Sequence, residues 1–250
     1  MYWFAFICAL FTPLTAGCEL VVRFENYAAQ SRMDTTLKWH GLDVDFARAL
    51  LDEADCGYQF INVPWGRALK MLAEGELDMV LSVTRTPERE QFAYFIGPQR
   101  METIVFAMNQ LRPYPVQTLA DLFKLPVPVA IQKGAFYGQV FNELLLREQT
   151  KAESQRFIYV ADNQRKLSLL KHGRIAGFLE EKFNVLYQSQ HNPDFAQITM
   201  SPLLVNREPV YYAVSKQSVS AKDMRQLVAA FERLQHSGRL KLILAKYGLE

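Results

Sequence analysis

Arg89 lies five residues after Thr84 and seven after Ser82, in the run Ser82-Val-Thr84-Arg-Thr86-Pro-Glu-Arg89. Hydroxyls two residues apart project to the same side of an extended chain. Thr86-Pro87-Glu88 has the form of a helix start, with a capping hydroxyl, a proline in the first turn and an acid near the positive end of the dipole. Hydroxyls at a strand end, backbone N–H groups at a helix start and one guanidinium together make a receptor for a carboxylate. Much later, Glu180 and Glu181 stand side by side at the end of an apolar run. In open α/β sheets ligands sit beyond the carboxyl ends of strands, so a cleft with Arg89 on one wall and the two acids on the other would face a cation with an anion.

Positioning these groups requires strands that end at a common cleft. Periodicity predicts strands at Glu19–Phe24, Tyr58–Val63 and Met79–Val83, with helices between them at Leu42–Ala54 and Gly66–Glu74. Pro64-Trp65 breaks the second strand, and Gly75 closes the second helix. A strand over Thr103–Met108 follows, then the proline-rich connector Arg112-Pro-Tyr-Pro115 marks a shift in composition. The alternation then resumes. Helix Thr118–Phe123, strand Val127–Gln132, a turn at Lys133-Gly134-Ala135 and helix Phe136–Glu148 come first. Strand Phe157–Val160, a helix capped by Asp162 and ended at Gly173, and strand Ile175–Leu179 follow, with Glu180 and Glu181 just beyond. Strand Val210–Val214 precedes two closing helices, Ala221–Ser237 and Arg239–Tyr247, which have no strand of their own to cover and are expected to return to the first half. Strands alternating with helices predict a parallel α/β sheet, here run twice.

The 250 residues are half apolar and 22% charged, with a net charge of +2, which gives no footprint for nucleic acid and no acidic tail. The four histidines lack metal-ligand spacing and the three cysteines do not cluster, so no metal is expected. No glycine-rich phosphate loop is followed by Lys-Ser/Thr, and no cofactor is expected. Residues 1–17 carry no charge, the apolar run Tyr2–Phe11 is too short to span a bilayer, and Thr15-Ala16-Gly17 follows it. This reads as an export signal peptide, although no Lys or Arg precedes the apolar run, and it directs the mature chain to the periplasm. Cys8 would leave with the signal. Cys18 and Cys56 each precede a predicted strand, and neighbouring parallel strands would bring them to one end, where a disulfide forms after export. The rival reading is a lipid anchor on Cys18, since Leu-Thr-Ala-Gly-Cys loosely resembles a lipobox; the threonine weakens that match.

Taken in order, the pieces resemble the extracellular solute-binding proteins of the family 3 type, which serve polar amino-acid ABC transporters. They are Trp39-x-Gly41-Leu-Asp-Val-Asp45, Pro64-Trp65, Gly75-Glu-Leu-Asp78, Ser82-x-Thr84-x-Thr86-x-x-Arg89, Phe95-Ile-Gly-Pro98, Gln132-Lys-Gly134 and Gly173-Arg-Ile175. The resemblance covers nearly the whole mature chain. It implies a two-lobe periplasmic binding protein type II fold, the Venus flytrap, with two crossing hinge strands. Residues 18–103 and 215–250 would form lobe 1 and residues 104–214 lobe 2.

The resemblance also implies roles. Arg89 would pair with the ligand α-carboxylate, aided by Ser82 and Thr84. Trp65 would line the pocket, Tyr27 would cover the ligand side chain, and either Glu180 or Glu181 would hold the α-amino group. The sequence departs from the family where a hydroxyl usually follows Lys-Gly: Ala135 and Phe136 stand there, with Tyr137 next, and Ala176 replaces a frequent Asp. The pocket is thus expected to be aromatic and poor in hydroxyls. The implied function is capture of an amino acid or similar small carboxylate for uptake through ABC permease subunits, by a monomer that is not an enzyme and has no nucleic-acid partner. A zwitterion bridging a cation and an acid on opposite lobes favours the closed state. Two alternatives stay open. One is a cyclohexadienyl-dehydratase-like enzyme, for which the sequence offers no apparent His or Lys beside the acids; the other is a free-standing periplasmic sensor.

Overall fold

A computed structural model describes residues 17–149, 156–161 and 163–249. The export-signal residues 1–16 and the expected cap Asp162 lie outside the described residues.

The chain opens with β1 (Glu19–Phe24), a short ribbon of β2 (Arg32–Met33) and β3 (Trp39–His40), α1 (Leu42–Glu53) and β4 (Gly57–Asn62). There follow α2 (Trp65–Glu74), β5 (Met79–Thr84), α3 (Pro87–Glu90) and the long β6 (Ala93–Asn109). Then come α4 (Leu119–Leu122), β7 (Val129–Ile131), α5 (Gln139–Gln149), β8 (Phe157–Tyr159), α6 (Asn163–Lys171), β9 (Gly177–Glu181) and α7 (Lys182–His191). A 3-10 turn at Pro193–Phe195 leads into the long β10 (Ile198–Ser215), and α8 (Ala221–His236) and α9 (Arg239–Lys246) close the chain.

Eight strands form one sheet in the order β4-β1-β5-β10-β6-β9-β7-β8. β1 lies parallel to β4 and β5 at one end of the sheet, and β7 lies parallel to β8 and β9 at the other. The two long strands β6 and β10 pair antiparallel with each other along their length and join the ends. Each is much longer than the expected Thr103–Met108 and Val210–Val214, because prolines that read as strand breaks are absorbed. The ladder slips near Val210/Tyr212, opposite Gly97-Pro98, and near Met200/Leu204, beside Pro202. Irregularities of this kind are where a sheet tolerates proline.

Apolar side chains divide about this sheet. Val22, Phe24, Phe46, Leu50, Leu227 and Phe231 are buried between β1, α1 and α8, while Ala68, Leu72, Val80 and Ala213 are buried on the other face beneath α2. At the far end Phe106, Phe141 and Leu179 pack on one face and Ala107, Phe178 and Phe195 on the other. The closing helices do return to the first half: Arg233 Nε donates to Glu53 at 2.6 Å, and Lys246 Nζ lies 2.6 Å from Asp45. Two expectations need correction. Strand β9 runs on through Glu180 and Glu181, and the helix α7 that follows was not foreseen, because its apolar residues Phe183, Val185 and Leu186 are few and lack a clean helical period. Among the described residues, no helix is long and apolar enough to cross a membrane.

The register of β1 on β4 pairs Glu19 with Gly57, which sets Cys18 beside Cys56, and the two form a disulfide. It closes a loop with a sequence separation of 38. Loop-closure entropy for that length sets a ceiling of about 4 kcal/mol on its stabilisation. The Cys18→Ser/Cys56→Ser double variant is expected to unfold in urea with about 2–4 kcal/mol less free energy than the parent. Peptide mapping without reductant should find the two cysteine peptides joined; a free Cys56 thiol would contradict the pairing.

Candidate functional site

The carboxyl ends of β1, β5, β7 and β9 meet at one cavity partly open to solvent. All nine residues expected at the site line it: Tyr27, Trp65, Ser82, Thr84, Arg89, Phe136, Tyr137, Glu180 and Glu181.

The wall built by β5 and α3 forms as its sequence implies. Thr86 caps α3, its hydroxyl accepting from the Arg89 N–H at 3.4 Å, and this sets the direction of the Arg89 side chain. The buried guanidinium donates to the Thr84 carbonyl at 2.7 Å and, across the cavity, to the Gly134 carbonyl at 2.9 Å. Gly134 can offer that carbonyl because it adopts a φ of 80°, where a Cβ would be strained. Two of the five guanidinium N–H donors are thereby used. Burial lowers the Arg89 pKa, while Glu102 and Glu88 support its charge.

Ser82 differs from its expected role in one respect. Its φ of 55° is unusual for a residue with a side chain, and its hydroxyl is committed within the protein. It donates to Asp43 at 2.8 Å and accepts from Arg100 at 3.2 Å, while its N–H donates to Gln99 at 3.0 Å. Asp43 is held in turn by the start of α1. That helix has no side-chain cap; the N–H groups of Leu42 and Asp43 donate to the carbonyls of Ala29 and Gln30 at 3.1 and 2.9 Å. The close fit depends on Gly41, where a Cβ would lie 2.4 Å from the Gln30 carbonyl oxygen.

Both acids face the cavity, each with its own partners. Glu180 accepts from the Tyr27 hydroxyl and, at 2.9 Å, from Lys166 Nζ. Glu181 pairs with Arg100 and accepts from Gln30. The expectation that no lysine stands beside the acids was wrong: Lys166 of α6 is buried there, 5.8 Å from the Phe178 ring centre. In the sequence it sits in the polar run Asn-Gln-Arg-Lys and reads as a solvated helix face.

Sequence reasoning also missed Arg23, Glu25, Asp43 and Glu102, all of which line the cavity, and Arg100 behind it. Arg23 pairs with Glu25, donates to the Val63 carbonyl at 2.7 Å and lies 5.4 Å from the Trp65 ring centre. A charged Arg inside the apolar run Glu19–Phe24 was the available signal, since a strand with both neighbours paired seldom buries an unneeded cation. The Tyr137 hydroxyl accepts from the Gln132 N–H at 2.7 Å, so this residue offers the cavity its ring.

The electrostatics are those of a crowded acid cluster. Glu102 is pushed up to about 8, first by burial and then by Glu181, with Arg100 opposing. Burial likewise raises Asp43 and Glu181. For Arg100 burial opposes the charge, but Glu181, Asp43 and Glu102 outweigh it and hold the pKa above the ordinary arginine value.

Two half-sheets joined by long strands, with a charged cavity at the strand ends between them, define the type II periplasmic binding protein class. The chain belongs to the bacterial extracellular solute-binding proteins, family 3, whose model matches residues 20–250. No curated protein matches it by sequence. Among solved structures it is similar to an ancestral arginine-binding protein bound to glutamine, with 20% identity, a TM-score of 0.78 and 93% of this chain and 98% of that one covered. A histidine kinase sensor domain with similarity to periplasmic binding proteins gives 17% identity and a TM-score of 0.78, covering 93% of this chain and 96% of that one. The ancestral amino acid-binding protein AncCDT-1, a precursor of cyclohexadienyl dehydratase, gives 20% and 0.75, covering 92% and 94%. At these identities the structural likeness speaks for the fold.

Breaking a buried ion pair strands a charge. Arg100→Ala is expected to cost about 3–5 kcal/mol in urea unfolding at pH 7, because Glu181 loses its cation. An Arg100→Ala/Glu181→Gln double variant should recover part of that loss. Equal stability of the single variant and the parent would show that the pair contributes nothing net.

Proposed function

We propose that the protein captures an amino acid or similar small carboxylate in this cavity, with Arg89 as the carboxylate anchor. The observation that carries the reading is the placement of Arg89. Its guanidinium is buried at the cavity wall, steered by the Thr84 and Gly134 carbonyls, and has further donors for a planar anion. Acids on β9 and the aromatic rings of Tyr27, Trp65, Phe136 and Tyr137 complete a lining suited to an amino group and an apolar stem. Membership of the solute-binding family supports a binding role, and the relatives that bind arginine or other amino acids support the ligand class.

In this reading each end of the sheet is the core of one lobe. The first lobe is made of residues 18–103 with the C-terminal helices, and the second begins at Ile104. The return crossing is best set near Glu208, because Val210–Val214 pair with β5. The Tyr27–Glu180, Gln30–Glu181 and Arg89–Gly134 bonds then join the lobes, and closure around ligand buries it between them. The protein is exported to the periplasm by its N-terminal segment, acts as a monomer without catalysis, and hands its solute to ABC permease subunits.

A ligand at one hundred times its Kd adds about 2.7 kcal/mol to stability, which raises Tm by about 5–10 °C for a chain of this size. A thermal-shift screen of amino acids, short peptides and organic acids should find such a shift, and Arg89→Ala should abolish it. An undiminished shift in the variant removes Arg89 from the site. Prephenate and arogenate belong in the same screen, because their conversion to an aromatic product would replace binding with catalysis.

A further inference from the structure

The cavity's charges do not balance among the described residues. Glu25 is matched by Arg23, Glu180 by Lys166 and Glu181 by Arg100. That leaves the acids Asp43 and Glu102 against the single cation Arg89. Asp43 is served by the Ser82 hydroxyl and lies in the field of Arg100 and Arg23. The Glu102 carboxylate, half-buried on the cavity wall, has neither hydrogen bond nor ion pair among the described residues. A carboxylate in that position costs free energy until a proton or a cation neutralises it.

We propose that Glu102 receives a cationic group of the ligand, and that the ligand is an amino acid with a positively charged side chain. This rests on the carboxylate anchor at Arg89. With a ligand carboxylate there and Glu102 ionised, three negative groups face one positive group, and an α-ammonium together with a side-chain cation closes the difference. Five aromatic rings on the same cavity, Phe24 among them, add faces that favour a desolvated cation. Glu180 and Glu181 are already engaged by Tyr27 and Lys166, and by Gln30 and Arg100, which leaves Glu102, among the described residues, as the lining acid whose carboxylate accepts no bond.

Binding of this kind exchanges a proton for a cation. Burial and the β9 acids raise the Glu102 pKa to about 8, together with Asp43 of α1, while Arg100 of its own strand lowers it. Arg89 of α3, Tyr27 and Tyr137 also interact with it. At neutral pH the carboxyl is therefore mostly protonated, and a ligand cation must displace that proton. Affinity for a cationic ligand rises with pH, by roughly tenfold per unit below pH 8, and levels off above it.

L-Arginine and L-citrulline, its neutral near-isostere, test this by titration calorimetry from pH 6 to 8.5. The expected result is about tenfold or greater preference for arginine at pH 8. Arginine affinity should climb with pH with proton release to the buffer, and citrulline affinity should stay flat. Glu102→Gln, checked for folding by its urea midpoint, should shrink the arginine-to-citrulline ratio and remove the slope. If the variant fails to fold, the wild-type pH profile and proton count decide alone. Equal affinities, or a flat arginine profile, overturn the inference and leave the carboxylate anchor standing. Failure of both amino acids to bind overturns the anchor as well.

Discussion

A guanidinium out of reach of water has to be neutralised where it stands, and the placement of Arg100 follows from that constraint. It is carried by β6 at the point where the strand passes from one half of the sheet to the other. It pairs with Glu181 on β9 and donates to the Ser82 hydroxyl at the end of β5. Ser82 binds Asp43 at the head of α1, and Glu181 binds Gln30 in the loop before it. One buried cation thus fixes four segments that are far apart in sequence. Pairs of this kind add little to net stability compared with an apolar contact, but they penalise every arrangement that separates them. That penalty is what holds an acid-rich cavity in one geometry.

The sheet supplies the rest of the frame. Parallel strands present their carboxyl ends together, and here two such sets are joined through a pair of antiparallel strands. Side chains from β1, β5 and β9, and from the loop that follows β7, consequently meet at a single cavity. The strand that joins the halves also carries Glu102 into the cavity wall, so the frame and the lining are partly the same residues.

Much of this was legible in the chain. Local signals placed β1 and the closing helices almost to the residue, because capping residues and apolar periodicity act over a single turn or strand. The Thr86-Pro87 helix start was equally local. The long strands were cut short because Gly97-Pro98 and Pro202 are read as breaks by any local rule, whereas the sheet absorbs them with slips in register. At the site, Arg89, Trp65 and the β9 acids stood out by type and spacing. Lys166, Glu102 and Arg23 did not, since their roles depend on partners 14, 79 and 40 residues away: Glu180, Glu181 and Val63. A charge in a sequence looks solvated until the fold shows what surrounds it.

Gly41 carries this interdependence to a residue with no chemistry of its own. Its α-carbon rests against the Gln30 carbonyl, which also receives the Asp43 N–H, and there is no room for a single methyl group. Gln30 and Asp43 are in turn two of the residues that hold Glu181 and Ser82. In a genetic screen, an alanine at position 41 would therefore score as a loss-of-function allele although it touches no solute. The distinction between a folding lesion and a binding lesion, useful at most positions, dissolves at this one.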